Sequence, residues 1–454
     1  MSVDVVILAA GQGSRMKSDL PKVLHAVGGK AMVQHVIDNA SSMEDAAVHV
    51  VIGHGAEKVR ETLAGQDVQF ALQEQQLGTG HAVAQAMPNV TGDSTVLVLY
   101  GDVPLTSPDT MQELVAIAEA GDFGLLTVSL QDPTGYGRIV RDNNDNVVAI
   151  VEHKDASPEQ LAITEVNTGI LAVSASKLND WLPQLSSENA QGEYYLTDII
   201  AMAANQGLAI KAIQPETEQE VQGVNNRVQL AELERWYQLR NAEQLMINGA
   251  TLADPARVDV RGKVEQGNDI WIDVNVVLEG DVYIGNNVRI ESNCVIRNSR
   301  IGDGTVIKAN SVLEDAVVAE NCDIGPFARL RPGTELANKA KVGNFVETKK
   351  AVIGEGSKVN HLTYVGDAKI GKNVNVGAGT ITCNYDGVNK SLTEIGDGAF
   401  IGSNSSLVAP VKVGAGATVG AGSTITKTVE DEQLAVARGK QMNLNGWQRP
   451  VKKS

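Results

Sequence analysis

From residue 276 onward an aliphatic side chain returns at every sixth position: Val276, Val282 and Val288, with Cys294 next in step. Arg300 breaks the series, which continues at Val306, Val312, Val318, Ile324, Leu330, Leu336 and Val342. After a register shift the spacing resumes at Val359 and Val365, and again at Ile370 and Val376. A last run holds at Ile395, Ile401, Leu407, Val413, Val419 and Ile425. A period of six fits neither the turn of an α-helix nor the alternation of a flat sheet. It fits a triangular solenoid, with a short strand on each side and a tight turn at each corner. The aliphatic residue points into the narrow interior, and Gly, Asn and Asp make the corners. The stretch from Thr382 to Lys390 is out of period and reads as a loop projecting from the solenoid.

The first half is patterned differently. Val3 to Ala9, Val48 to Ile52 and Thr95 to Tyr100 are continuous apolar runs, as in strands buried on both faces. Each run ends at a Gly-containing turn, at Gly11, Gly53 and Gly101, and Ala31 to Ala40 reads as a helix. Such alternation implies a parallel sheet with helices on both faces. Ligands of these sheets sit at the carboxyl ends of the strands. Arg227 to Ile247 lacks Gly and Pro, sets Leu230, Leu233, Tyr237 and Leu245 near one face, and reads as a connecting helix. The expected organisation is therefore an α/β first domain over 1–226, a linking helix over 227–249 and a β-solenoid over 250–454.

Bulk properties narrow the class. The formal charge of −17 speaks against nucleic-acid binding, which needs a basic footprint. Local Arg and Lys can still hold a nucleotide. No apolar run reaches the length of a membrane span. Met1-Ser2-Val3-Asp4 lacks a basic region and Val5 to Ala10 is too short for a signal peptide, so the expected compartment is the cytoplasm. Cys294, Cys322 and Cys383 match no zinc spacing and read as reduced, structural thiols.

Two stretches carry chemistry. In the loop Leu8-Ala9-Ala10-Gly11-Gln12-Gly13-Ser14-Arg15-Met16, Gly11 and Gly13 allow backbone N–H groups to approach a triphosphate, and Arg15 and Lys22 add positive charge. On the glycines alone, a plain βα turn remains as good a reading. There is no third glycine for a dinucleotide fingerprint and no Gly-Lys-Ser/Thr for a P-loop. Asp102 directly follows a buried strand, where one carboxylate can hold Mg²⁺ with the phosphates supplying the remaining ligands. The alternative is a solvated turn aspartate. In the solenoid, His361 is the only histidine after His153, and an imidazole can take a proton from an attacking amine. The solenoid repeat alone leaves a purely structural role open.

The loop above, Leu20-Pro21-Lys22 and Gly101-Asp102 resemble the sugar-nucleotide pyrophosphorylases. Gln73 with Gln76-Leu77-Gly78-Thr79-Gly80-His81-Ala82 is similar to that family's uridine-binding segment. Gly135-Tyr136-Gly137-Arg138, Val151-Glu152-His153-Lys154, Glu165-Val166-Asn167-Thr168-Gly169, Gly192 to Asp198 and Gly223-Val224-Asn225-Asn226-Arg227 resemble its sugar- and metal-binding segments. Together with the repeat and His361-Leu362-Thr363-Tyr364-Val365-Gly366-Asp367 they resemble the bifunctional bacterial N-acetylglucosamine-1-phosphate uridyltransferases/glucosamine-1-phosphate N-acetyltransferases over nearly the whole chain.

The resemblance implies a Rossmann-like nucleotidyltransferase domain with a mixed, mainly parallel sheet, and a left-handed parallel β-helix of hexapeptide repeats. It implies acetyl transfer from acetyl-CoA to glucosamine 1-phosphate, then uridyl transfer from UTP to N-acetylglucosamine 1-phosphate with release of pyrophosphate. Gln73 and Gly78 would read uracil, with Leu8, Ala9, Ala10, Gly11, Gly13, Thr79 and Tyr100 also around UTP. Arg15 and Lys22 would hold the phosphates and assist the transfer, and Asp102 and Asn225 would bind Mg²⁺. Gly137, Glu152, Asn167, Tyr195 and Thr197, with Asn225, would bind N-acetylglucosamine. His361 would be the general base of acetyl transfer, oriented by Glu347. Arg331, Lys349, Tyr364, Asn375 and Lys390 would bind the sugar phosphate. Asn384 and Tyr385 would lie against the acetyl group, and Ala378, Ser403, Ala421 and Arg438 against coenzyme A. A homotrimer through the β-helix is implied as well. The basic end from Arg449 to Lys453 reads as a solvated tail, with contact to the coenzyme's phosphates the alternative. Two other readings use the same modules: a single-function sugar-1-phosphate nucleotidyltransferase with a structural or regulatory β-helix, and a non-catalytic regulatory subunit. His361 and the Asn384-Tyr385 loop argue against the first, and Arg15, Lys22 and Asp102 against the second.

Overall fold

The structure is a computed structural model that describes residues 2–452, so Lys453 of the basic end lies outside the described residues. The chain divides into two compact units, with the break after Tyr237. Among the described residues no helix is long and apolar enough to cross a membrane.

The first unit is built on a mixed sheet. Its path runs β9 (Ile210–Ile213), β5 (Phe123–Ser129), β8 (Glu165–Ser174), β4 (Thr95–Tyr100), β1 (Val3–Ala9), β2 (Ala46–Ile52) and β3 (Gln69–Leu72). Strands β4, β1, β2 and β3 are mutually parallel, whereas β8 runs antiparallel between β4 and β5. A hairpin of β6 (Arg138–Arg141) and β7 (Val147–Val151) hangs from β8. The alternation of side chains along β1 explains its unbroken apolar run. Val3, Val5, Ile7 and Ala9 enter one core with α1 (Met32–Ser41) and α3 (Pro108–Glu119), while Val6 and Leu8 enter the other with α2 (Thr79–Ala86) and α4 (Asp198–Asn205). A strand covered by helices on both faces has no solvated side to carry polar residues.

The long helix α5 spans Arg227–Ile247. Its opening turns belong to the first unit. Leu233 is fully buried there in a small core with Met16, Val27, Met32, Leu105 and Val224, and Leu230, Trp236 and Tyr237 pack against it. Ala242 and Leu245 belong to the core of the second unit.

The second unit is a left-handed parallel β-helix. Equivalent residues on neighbouring coils lie 17 or 18 positions apart, except across the projecting segment, where Val376 and Ile401 are 25 apart. One ladder stacks Ile272, Ile290, Ile307, Ile324, Val342, Val359, Val376, Ile401 and Val419 in parallel register. These side chains fill the interior, as the six-residue period implies. The phase of the period differs from expectation at two positions. Val306 and Val312 are half-buried, and the inward side chains are Ile307 and Leu313. Inward side chains are six residues apart up to Ile296 but five apart from Ile296 to Ile301, so that corner is one residue short. The inward positions then fall on either side of Val306 and Val312, at 305 and 307 and at 311 and 313, and a second five-residue step from Leu313 to Val318 restores the phase. The loss also accounts for Arg300, which is exposed while Ile301 is buried. Thr382 stays in the ladder, opposite Leu407, so the projecting segment begins after it. That segment folds back on itself through a bridge between Tyr385 and Lys390. Cys294 and Cys322 are buried in the interior, where burial pushes their thiols up to about 11, and Cys383 is half-exposed.

Candidate functional sites

A cavity of about 380 Å³ opens beyond the carboxyl ends of β1, β3 and β4. Leu8, Ala9, Ala10 and Gly11 line it from β1, Gln73 follows β3, and Tyr100 and Asp102 follow β4. Gly78 and Thr79 at the start of α2, Lys22 and Asn225 complete it. The loop after β1 is drawn tight by Gly13, which has φ +62° and whose missing Cβ would lie 2.6 Å from Lys22 Cβ. That approach brings the Lys22 side chain under the loop. Arg15 and Gly13 do not line the cavity, but Arg15 reaches its edge by donating to Asn225 Oδ1 at 2.9 Å.

The polar groups of the cavity converge on one point. The Lys22 ammonium is ion-paired to Asp102 and donates to Asn225 Oδ1 at 3.3 Å. Asp102 is held to the Asn225 segment by the Val224 N–H, which donates to the Asp102 carbonyl at 3.0 Å. A carboxylate oxygen and an amide oxygen thus share one cation. Among the described residues no group of three or more His, Cys, Asp and Glu is arranged to hold a metal.

The residues assigned to the sugar form a neighbouring cluster, linked to the cavity by Tyr100. The Asn167 N–H donates to the Gly137 carbonyl at 2.9 Å, and Asn167 Oδ1 accepts from Gly169 N–H at 3.0 Å. Thr197 donates to Glu152 Oε1 at 3.2 Å, and the Tyr195 hydroxyl accepts from Gln191 at 2.9 Å. Burial raises the Glu152 carboxyl above its ordinary range against that hydrogen bond, with Asp155 and Asp198 adding to the rise. The Tyr100 hydroxyl is held above its usual range by burial first, then by the charges of Asp102 and Glu152 on either side.

In the second unit a single corner of the β-helix gathers four of the assigned residues. His361, Ala378, Ser403 and Ala421 occupy it on four successive coils. The Gly379 N–H donates to the His361 carbonyl at 3.3 Å, Asn404 N–H to Ala378 at 2.8 Å, and Gly422 N–H to Ser403 at 2.8 Å. Arg438 folds back onto the corner, donating to the Ala421 carbonyl at 2.6 Å. Asn375 lies on the strand before the corner, and Glu347 pairs with Tyr364 on strands after it. Asn384 is buried, donating to Asp367, and the exposed Tyr385 donates to the Gly387 carbonyl.

Two features of this corner bear on chemistry. His361 Nδ1 lies 2.6 Å from Asn344 Oδ1. An amide oxygen can only accept, so Nδ1 carries a hydrogen, and Nε2 is the nitrogen that holds the lone pair in the neutral ring. Glu347, expected to orient His361, is instead ion-paired with Arg331 at 2.7 Å. Beside that pair, the Lys349 ammonium is held below its ordinary range, by Lys390 first and then by Arg331. A cation destabilised by other cations is relieved by an anion.

Comparison with known proteins accounts for both units. Residues 5–163 match the MobA-like NTP transferase domain, 260–346 the GMPPB C-terminal domain, and 392–427 six repeats of the bacterial transferase hexapeptide. The chain is 65% identical to the bifunctional protein GlmU of Marinobacter nauticus over 99% of both chains. It is 63% identical to that of Cellvibrio japonicus over 100% of both chains, and 64% identical to that of Saccharophagus degradans over 99% of this chain and 100% of the relative. The chain belongs to the GlmU family. In this GlmU family member most of the cavity lining falls within the NTP transferase match, with Glu193 and Asn225 beyond it, and Ser403 and Ala421 fall within the hexapeptide match. Sequence reasoning assigned no role to Gln76 and Glu193, which line the same cavity, although both lie in the segments that carried the resemblance. It also missed Asn344, for which the sequence offers no signal, since its partner His361 is 17 positions away.

Proposed function

We infer that this chain is a two-site enzyme. The first unit transfers uridylyl from UTP to N-acetylglucosamine 1-phosphate, releasing pyrophosphate. The second transfers acetyl from acetyl-CoA to glucosamine 1-phosphate. Residues 1–226 are taken as the uridyltransferase domain, 227–249 as the linking helix and 250–454 as the acetyltransferase domain. Full-length kinship with bifunctional relatives, with the Lys22–Asp102–Asn225 cluster at the cavity, is the observation that carries the reading.

Mg²⁺ fits that cluster. Two oxygens of different chain segments already converge on a cation, and both are hard ligands. Asp102 and Asn225 would hold the ion, which supplies charge stabilisation on the phosphates when bound. Lys22 is then free to hold a phosphate, with Arg15 at the cavity edge. A sugar phosphate arrives ionised, so positioning and electrostatics suffice and no protein base is needed. In the second reaction His361 Nε2 accepts the proton as the glucosamine amine attacks the thioester carbonyl carbon, and as the C–S bond breaks that proton passes to the departing sulfur, so that coenzyme A leaves as thiol. Arg331, Lys349 and Lys390 receive the sugar phosphate, and the corner from Ala378 to Ala421 receives the coenzyme.

The second unit works as a homotrimer. Phe327 and Phe345 stack at 5.1 Å on the coils beside His361 and remain 48% and 56% exposed, with Leu362 at 62%. All three have positive φ, of 55°, 55° and 49°. Bulky residues seldom adopt that conformation, which costs roughly 1–3 kcal/mol. An exposed apolar ridge held at that cost supports association of β-helices along this edge. The enzyme is expected in the cytoplasm. Assaying purified protein with each substrate pair separately tests the whole reading. Uridyl transfer without acetyl transfer would reduce the β-helix to a structural part.

A further inference from the structure

Gln73 lines the cavity of the first unit and is almost fully buried. A carboxamide in a base pocket can present its oxygen or its NH₂, and the choice decides which bases it accepts. Here the choice is made by two neighbours. Gln73 Nε2 lies 3.2 Å from the Gly78 carbonyl oxygen and 3.0 Å from His81 Nδ1. Turning the amide over would set its oxygen against the Gly78 carbonyl oxygen, two acceptors with no proton between them. The amide therefore donates both hydrogens, one to Gly78 and one to His81, and His81 Nδ1 must be an unprotonated acceptor. The imidazole hydrogen then resides on Nε2, where the Gln85 carboxamide lies 3.2 Å away. Turned over, that amide offers its oxygen there and gives up a 3.3 Å contact with the His81 carbonyl, at a half-buried side chain that water can reach, whereas Gln73 is buried and has no such outlet. With both amide hydrogens spent, Gln73 has only Oε1 to offer the cavity.

We propose that His81 is a positioning residue for base selection, locking Gln73 so that its amide oxygen faces the nucleotide. The proposal rests on the reading that this cavity takes UTP. Uracil carries a hydrogen on N3 and donates it to Oε1. Cytosine has a bare acceptor at N3 and faces Oε1 without a proton. His81 does not line the cavity. It acts by denying Gln73 the flipped state, from its place in the first turn of α2.

The test compares UTP and CTP as substrates of the full-length enzyme. His81→Leu removes the acceptor and frees the amide to turn. The UTP-to-CTP ratio of kcat/KM is expected to fall about tenfold or more, the range for a buried hydrogen-bonding group left mispaired. The change should lie in KM for UTP, with KM for N-acetylglucosamine 1-phosphate and acetyl transfer unaltered. His81→Asn, whose Oδ1 can stand where Nδ1 stood, should restore the ratio. A general loss of stability would instead lower both nucleotides alike and would not be repaired by Asn. If His81→Leu folds and keeps the ratio within twofold while Gln73→Leu collapses it, the positioning role of His81 is wrong and the uracil reading stands. If Gln73→Leu also leaves the ratio unchanged, the cavity does not read the base through Gln73, and the uridyl reading of this site falls with the proposal.

Discussion

The opening turns of α5 should decide whether the first unit can stand alone. A fragment ending at Gln229 retains every residue assigned to uridyl transfer, yet it removes Leu233, Glu234 and Tyr237. Leu233 is fully buried against Met16, Val27, Met32 and Leu105, and burial of a leucine contributes about 1.5–3 kcal/mol. The Glu234 carboxylate accepts the Gly28 N–H at 2.6 Å, a charged hydrogen bond worth about 1.5–3 kcal/mol. The loss is therefore on the order of 3–6 kcal/mol, a large share of the roughly 5–15 kcal/mol that holds a domain folded. Met16 follows Arg15 in the phosphate loop, so the loop loosens along with the core. Thermal and urea denaturation, with uridyl transfer, measured on fragments 1–229 and 1–240 make the comparison. The longer fragment should fold and work, and the shorter should melt about 10 °C lower or more. Equal stability of the two, within about 1 kcal/mol, would show that α5 contributes nothing to the first unit and would refute the reasoning.

Asp102→Asn should abolish Mg²⁺-dependent uridyl transfer and leave acetyl transfer nearly intact, because it removes the carboxylate that the Lys22 ammonium now neutralises. Full UDP-N-acetylglucosamine formation by this variant would exclude the metal assignment. His361→Ala should lower acetyl-transfer turnover by about 10²- to 10⁴-fold with uridyl transfer and melting temperature unchanged. A well-folded variant within about twofold of the parent would mean that another group takes the proton. Phe345→Glu should dissociate the assembly, read by sedimentation, and remove acetyl transfer while uridyl transfer persists. A variant that stays trimeric would move the association surface away from the ridge.

What the sequence discloses and what it withholds follow from how far each contact reaches along the chain. The strand ends of the first unit were legible because Gly11, Gly13 and Asp102 each sit directly after an apolar run that can only be a buried strand. The six-residue period was legible because the narrow solenoid interior takes one small or aliphatic side chain at each repeat, and most of these are aliphatic. Its phase was not, since Val306-Ile307 and Val312-Leu313 each pair two aliphatic residues and either could point inward. Only the structure reveals which corners are short. That uncertainty extends to the site. Asn344 meets His361 across 17 positions and Arg331 meets Glu347 across 16, so one residue gained or lost at a corner exchanges every neighbour between coils. The role of α5 was hidden for a related reason. Its apolar face announces that it packs, but Leu233 and Leu245 look alike in sequence although they enter the cores of different units. The residues that do the chemistry could be named one by one, whereas the residues that hold them, Asn344 for His361 and His81 for Gln73, emerge only when the fold states who stands beside whom. Asn344 and His81 are also where substitution should separate activity from folding, because each fixes the proton arrangement of a functional side chain without contributing to the apolar core.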